Sequence, residues 1–118
     1  MDVIIGIDLG TTRCVIAHDA GDGAPVVIGA EDGSPYTPSV VHFDGERWEV
    51  GAGAALMTPV DPDSTVVGIK REMGEDTAMS FGDEEYGPEG ISGIILRHLA
   101  DLAEAELGRG RVRAVITV

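Results

Sequence analysis

The 118-residue chain has the length of one domain, and its 21 acidic residues against 8 basic ones give a net charge of −13. A composition of 43% hydrophobic and 25% charged residues predicts a globular chain, and the acidic balance argues against nucleic acid or a membrane surface as a partner. The sequence has no apolar run near the roughly 20 residues of a membrane span and no basic signal peptide at its start, so it predicts a cytoplasmic protein.

The first stretch of the chain combines a predicted buried strand with a polar turn. Val3 to Ile7 is apolar and rich in β-branched residues, and Asp8 follows where this strand is predicted to end. Gly10-Thr11-Thr12, here called the GTT turn, precedes a second predicted strand, Cys14 to His18. Such a turn suits a phosphate, and the carboxylate suits a magnesium ion or its water shell. The alternative is an ordinary hairpin turn with a capping aspartate.

The next segments predict a meander, a stiff connection and a hairpin. Pro25 to Ile28 is a third predicted strand, antiparallel to the second. Pro35 to Ser39 contains two prolines and predicts a subdomain boundary after residue 39. The strands Val40 to Phe43 and Arg47 to Val50 are joined at Asp44-Gly45, which is typical of a hairpin.

The middle of the chain is predicted to be helical. Gly51 to Met57 predicts one short helix, and Thr65 to Met73 predicts another, with Ser64 as its N-cap and Gly74 as its stop. Lys70 lies on the second helix and is the only lysine of the chain. Because the other basic residues are all arginine, a lone lysine suggests a site that needs a compact ammonium group, with chance as the alternative.

The last third of the chain predicts a hairpin, one long helix and a strand. Thr77 to Phe81 and Glu84 to Tyr86 form the hairpin, and Val112 to Val118 forms the final strand. The helix runs from Pro88 to Gly108, with proline at its first position. Its buried face is predicted to consist of Ile91, Ile94, Ile95, His98, Leu99, Leu102 and Ala103.

Several common functional motifs are absent from the sequence. It contains neither a Gly-Lys-Ser/Thr phosphate loop nor a G-x-G-x-x-G dinucleotide motif after a strand. His18, His42 and His98 are too widely separated to predict a zinc site. Cys14 is the only cysteine, so no internal disulfide is possible, and its place in a predicted strand favours a small core residue over a nucleophile.

Four blocks carry a resemblance to a known family. They are Gly6 to Thr12, Thr37 to Val41, Ile69 to Gly74 and Ala114 to Val118. In their order and spacing they resemble the 70-kDa heat-shock chaperones of the DnaK type. The resemblance covers the whole chain and implies an α/β fold, part of an ATPase lobe of the actin and sugar-kinase type, in which a β-meander carries a small α/β subdomain.

The resemblance also implies how the chain is divided. Residues 1–39 would be the first strands of the lobe with its phosphate loop, residues 40–113 a small appended subdomain, and residues 114–118 the start of the returning core strand. The family's chain continues beyond this point with a second phosphate loop and an adenosine pocket. We therefore expect this chain to be an N-terminal piece with little or no activity by itself.

Individual site residues follow from the same resemblance. The positions that wrap the β- and γ-phosphates of ATP or ADP are matched by Gly10, Thr11, Thr12 and Arg13. Asp8 and Lys70 match the family's catalytic residues: Asp8 orients the waters of Mg²⁺, and Lys70 reaches the γ-phosphate and the attacking water. The sequence departs from the family at Arg13, where asparagine or tyrosine is usual, and at Ser34-Pro35-Tyr36.

The resemblance implies a chaperone whose ATP hydrolysis drives peptide binding and release. Its partners would be unfolded peptide clients, bound through a C-terminal domain, and J-domain and nucleotide-exchange co-chaperones. Two alternatives stay open: a small-molecule kinase of the same superfamily, and a non-enzymatic domain that binds a partner without nucleotide. The blocks Ile69 to Gly74 and Ala114 to Val118 argue against the kinase.

Overall fold

The computed structural model describes residues 3–19, 21, 23–108 and 112–117. Its strands are β1 (Val3–Leu9), β2 (Arg13–Asp19), β3 (Pro25–Ile28), β4 (Thr37–Pro38), β5 (Val40–Phe43), β6 (Trp48–Val50), β7 (Thr65–Val67), β8 (Met79–Phe81), β9 (Glu84–Tyr86) and β10 (Val112–Thr117). Its helices are α1 (Ala52–Leu56) and α2 (Pro88–Leu107), and short 3-10 turns cover Pro62–Ser64 and Ile69–Glu72. Neither α1 nor α2 is long and apolar enough to span a membrane.

The first sheet has the strand order β10-β1-β2-β3, with β4 paired to β2. The predicted antiparallel meander β1-β2-β3 is confirmed, and β10 runs parallel to β1. Residues alternate along β1, so that Ile5, Ile7 and Leu9 are buried while Ile4 and Asp8 are exposed on the opposite face. The strand extends through Leu9, two residues beyond the prediction, and Asp8 therefore lies inside it.

The second sheet consists of β6-β5-β7, and a separate hairpin pairs β8 with β9. The predicted hairpin at Asp44 is confirmed, because β5 and β6 pair in antiparallel on either side of it. Within the turn, Asp44 Oδ1 accepts hydrogen bonds of 2.8 Å from the N–H groups of Glu46 and Arg47. Aromatic rings join the two units: the centroid of Trp48 lies 4.9 Å from that of Phe81.

The predicted helix over Thr65–Met73 is wrong. Its first three residues form β7, which pairs with β5, and Gly68 then adopts a left-handed conformation with φ of 66°. Ser64 ends a 3-10 turn and caps no helix. The β-branched run of Thr65, Val66 and Val67 explains the difference, since such side chains favour a strand when a partner strand is available.

Helix α2 connects the two sheets and supplies much of the core. The predicted helix is confirmed, with Pro88 at its first position and Gly108 at its C-terminal end. It contacts strands of both sheets, including β3 and β10 of the first and β5 and β6 of the second. Its fully buried aliphatic side chains are Ile91, Ile95, Leu99 and Ala103. The core thus lies under α2, on the side of the first sheet opposite Asp8.

The final strand and the subdomain boundary can be compared with the prediction only in part. The predicted strand over residues 112–118 is confirmed as β10 through Thr117, and Val118 lies outside the described residues. The boundary proposed after residue 39 falls between β4, in the first sheet, and β5, in the second. The division into 1–39, 40–113 and 114–118 stays a prediction.

Candidate functional site

The GTT turn joins β1 to β2 and closes tightly at its glycine. The pair Leu9 and Cys14 is the last of the β1–β2 ladder, so four residues make the connection. A Cβ atom on Gly10 would overlap the carbonyl oxygen of Arg13. Glycine is therefore required here by close backbone approach. The side chain of Thr11 is half-buried, whereas those of Thr12 and Arg13 are exposed.

Asp8 is held by the last described residue of the chain. Because β10 runs parallel to β1, Thr117 lies opposite Asp8. Its hydroxyl lies 3.2 Å from Asp8 Oδ1, to which it donates, and 3.5 Å from the carbonyl oxygen of Ile7. Sequence reasoning missed this residue; its only signal was membership of the block Ala114 to Val118. The strand pairing thus orients an exposed carboxylate beside the GTT turn.

Ser39 connects the GTT turn to the segment that carries Lys70. Its hydroxyl donates to the carbonyl oxygen of Gly10 at 2.8 Å, and its N–H donates to that of Thr12 at 2.9 Å. Its own carbonyl oxygen accepts a 3.3 Å hydrogen bond from the N–H of Gly68. Ser39 is 3% exposed, so these bonds are shielded from water. The sequence places it in a resembling block but does not indicate these contacts.

The segment that carries Lys70 packs against the turn. Lys70 is half-buried and lies in the 3-10 turn that follows Gly68. A Cβ atom on Gly68 would lie 3.6 Å from Cγ2 of Thr11 and 3.3 Å from Nη1 of Arg71. Residues about 60 positions apart in the sequence are therefore neighbours, and the structure brings the predicted lysine segment to the GTT turn.

Both charged groups of the candidate site contribute to the pKa of the Cys14 thiol. Burial raises the pKa of this thiol above its ordinary value; hydrogen bonding by Ser39 and Gly10 opposes the rise. The Asp8 carboxylate adds to the increase and the Lys70 ammonium opposes it. The thiol itself is a core group, as predicted.

The two departures from the family pattern contact each other. The guanidinium carbon of Arg13 lies 5.1 Å from the ring centroid of Tyr36, which is the geometry of a cation–π contact. The register of β2 with β4 explains it, since Arg13 lies opposite Pro38, two residues after Tyr36. The sequence showed both residues as unusual without indicating that they pair.

The donor set fits a hydrated cation with a phosphate. No group of three His, Cys, Asp or Glu side chains in the described part of the chain lies close enough to hold a metal ion. Asp8 is instead a single exposed carboxylate next to a turn of hydroxyl and N–H donors. Mg²⁺ commonly keeps several waters and binds through one or two carboxylates plus phosphate oxygens. The residues present therefore suit this ion in company with a phosphate.

One family model matches the chain, and its description is Hsp70 protein. The match covers residues 4–118. It includes β1 from Ile4 onward, the GTT turn, the Lys70 segment, α2 and β10.

Proposed function

Because the chain belongs to the Hsp70 family, whose ATPase domain has an actin-like lobe fold, we propose that it supplies the first phosphate-binding loop and the catalytic lysine of a chaperone ATPase. The observation that carries the proposal is the convergence of three separate segments. Ser39 hydrogen-bonds both to the GTT turn, which follows Asp8 along the chain, and to Gly68 at the start of the Lys70 segment.

Each residue has a distinct proposed role. The GTT turn and Arg13 hold the β- and γ-phosphates, through N–H and hydroxyl donors and a guanidinium group. Lys70 neutralises charge on the γ-phosphate and positions the attacking water, and Asp8 holds the water shell of Mg²⁺. The bound ion would supply neutralisation of phosphate charge. Catalysis of this kind depends on positioning and electrostatics, so the residues need to be placed but form no covalent bond.

The family gives the wider context of this chemistry. Hsp70 proteins bind nucleotide and act on peptide clients with co-chaperones, and we propose the same for the protein that contains this chain. We also propose that residues 1–39 and the returning strand form the lobe, with residues 40–113 as its appended subdomain. The separate sheets of β1–β4 and β5–β7 support this division. The family match favours the chaperone over the small-molecule kinase.

The proposal can be tested by following amide resonances during titration with Mg-ATP, Mg-ADP, inorganic tripolyphosphate and adenosine. The titrations should be run at low and at molar salt, because a net charge of −13 repels anions at low salt. The test variants are Thr11→Ala and Lys70→Ala. Thr58→Ala serves as the matched control, since Thr58 is exposed and lies after α1.

We expect the phosphate-bearing ligands to shift resonances of the GTT turn with a dissociation constant of about 1 mM, roughly −4 kcal/mol. Adenosine should leave these resonances unchanged, and both test variants should bind more weakly than Thr58→Ala. Equal shifts from adenosine, or wild-type affinity in both test variants, would contradict the proposal. Micromolar binding that Thr11→Ala abolishes would show that these residues suffice without a second lobe.

A further inference from the structure

Ser39 holds two of the three carbonyl groups of the GTT turn. Its hydroxyl donates to Gly10 and its N–H donates to Thr12, at 2.8 and 2.9 Å. A serine hydroxyl has one proton, and this one is directed at Gly10. The contact of 3.2 Å between Ser39 Oγ and Cys14 Sγ therefore has the thiol as its donor. Both carbonyl groups consequently point toward a residue that is 3% exposed.

The direction of one carbonyl fixes the direction of the next N–H. In a trans peptide the C=O and N–H groups point in opposite directions, and the described chain has no cis peptide bonds. With the Gly10 carbonyl directed at Ser39, the N–H of Thr11 must point away from the interior. Within the described residues this N–H donates to no backbone or side-chain acceptor. The turn thus presents a free donor on its outer side, where an anion could accept from it.

We propose that Ser39 is a positioning residue for phosphate binding. Its hydroxyl pins the Gly10 carbonyl inward, which aims the Thr11 N–H at the phosphate. This inference rests on the proposed function, because it assigns a donor to the same ligand. Ser39 itself is buried and touches no ligand. It acts through the orientation of one peptide plane.

The test compares Ser39→Ala with the removal of another buried serine hydroxyl. Ser92 in α2 is 4% exposed, and its hydroxyl lies 3.4 Å from Sδ of Met73. Ser92→Ala is therefore a matched deletion away from the GTT turn. Both variants, with Ser39→Thr as the variant that retains the hydroxyl, are titrated with Mg-ADP and inorganic tripolyphosphate. Two quantities are recorded: the dissociation constant and the shift of the Thr11 amide at saturation.

We expect Ser39→Ala to bind about tenfold more weakly than wild type, as for one lost hydrogen bond to a charged group. Its Thr11 amide shift at saturation should also be smaller, and Ser39→Thr should restore both quantities. Ser92→Ala should match wild type in both, even if urea unfolding shows that it is equally destabilised. If Ser39 had a purely structural role, Ser39→Ala would lower stability without changing the Thr11 amide shift at saturation.

Wild-type affinity and Thr11 shift in Ser39→Ala would overturn the inference, as would equal weakening in Ser92→Ala. If Ser39→Ala does not fold, Ser39→Cys, kept reduced because its thiol would lie beside that of Cys14, replaces it with the same expected result, since a thiol is a weak donor. Failure of the proposed function looks different. In that case wild type itself shows no phosphate-dependent shift at the GTT turn.

Discussion

Adding one methyl group at Gly10 should destabilise the protein, whereas the same change at Gly6 should not. At Gly10 the new Cβ would overlap the carbonyl oxygen of Arg13, which is backbone and cannot rotate away. Overpacking of this kind costs about 1–3 kcal/mol. At Gly6, within β1, the nearest atom is the carbonyl oxygen of Ala17 at 4.0 Å, an ordinary contact. Alanine there restricts the unfolded chain and should stabilise by about 0.4–1 kcal/mol.

The two variants should therefore differ by about 1.4–4 kcal/mol in the free energy of unfolding. Urea unfolding measures this directly, and Trp48 provides the signal because it is the only tryptophan and is half-buried among aromatic rings. Gly10→Ala should also lose the phosphate-dependent shifts that Gly6→Ala keeps. Equal stability of the two variants would refute the tight closure of the turn at Gly10.

Five further substitutions give three comparisons. Leu99→Ala, at a fully buried position, should lower the free energy of unfolding in urea by about 2–5 kcal/mol. Leu56→Ala, at a position 74% exposed, should change it by no more than about 0.5 kcal/mol. Similar costs for the two variants would contradict a core that lies under α2. Gly68→Ala and Gly74→Ala both place alanine at positive φ, which should lower the free energy of unfolding by about 1–2 kcal/mol each. A Cβ atom at Gly68 would lie 3.3 Å from Nη1 of Arg71 and in ordinary contact with Thr11, whereas one at Gly74 would meet nothing within 4 Å. Gly68→Ala alone should therefore weaken tripolyphosphate binding, and unchanged binding in Gly68→Ala would contradict a link between the Lys70 segment and the site. The N–H groups of Arg47 and Glu46 lower the pKa of Asp44, so its ionised form stabilises the fold. In thermal unfolding, the melting temperature of wild type should exceed that of Asp44→Asn by a constant margin from pH 7 to 5. This margin should shrink below about pH 4 as the carboxylate is protonated. A margin that grows in acid would contradict a stabilising role for the ionised carboxylate.

Local signals were sufficient for most of the elements. The hairpin at Asp44 and the helix from Pro88 to Gly108 depend on residues close in sequence, whose turn and capping chemistry acts locally. The failed helix over Thr65–Met73 had a capping pattern but also a β-branched start. What decided its fold was the pairing with β5, a partner more than 20 residues earlier in the chain. Tertiary pairing of this kind overrides local propensity.

The candidate site divides in the same way. The GTT turn and Lys70 carry signals in the sequence, through motif chemistry and through the single lysine. For Ser39 and Thr117 the sequence gives only their membership of resembling blocks, because their contacts span 29 and 109 residues of chain. Spacing along the sequence cannot reveal such contacts. The residues proposed to touch a phosphate therefore have signals in the sequence, whereas the contacts of Ser39 and Thr117 were visible only in the fold.

The acidic composition places a further demand on a phosphate site. An anionic ligand approaches a chain with a net charge of −13, so the cations near the turn must remain available to it. Within the described residues neither Lys70 nor Arg13 forms an ion pair with a carboxylate. The Tyr36 ring holds Arg13 without neutralising it, which a carboxylate in the same place would do. In the proposed site, the two departures from the family pattern would therefore act together, with Tyr36 as an uncharged partner that orients the added cation of Arg13.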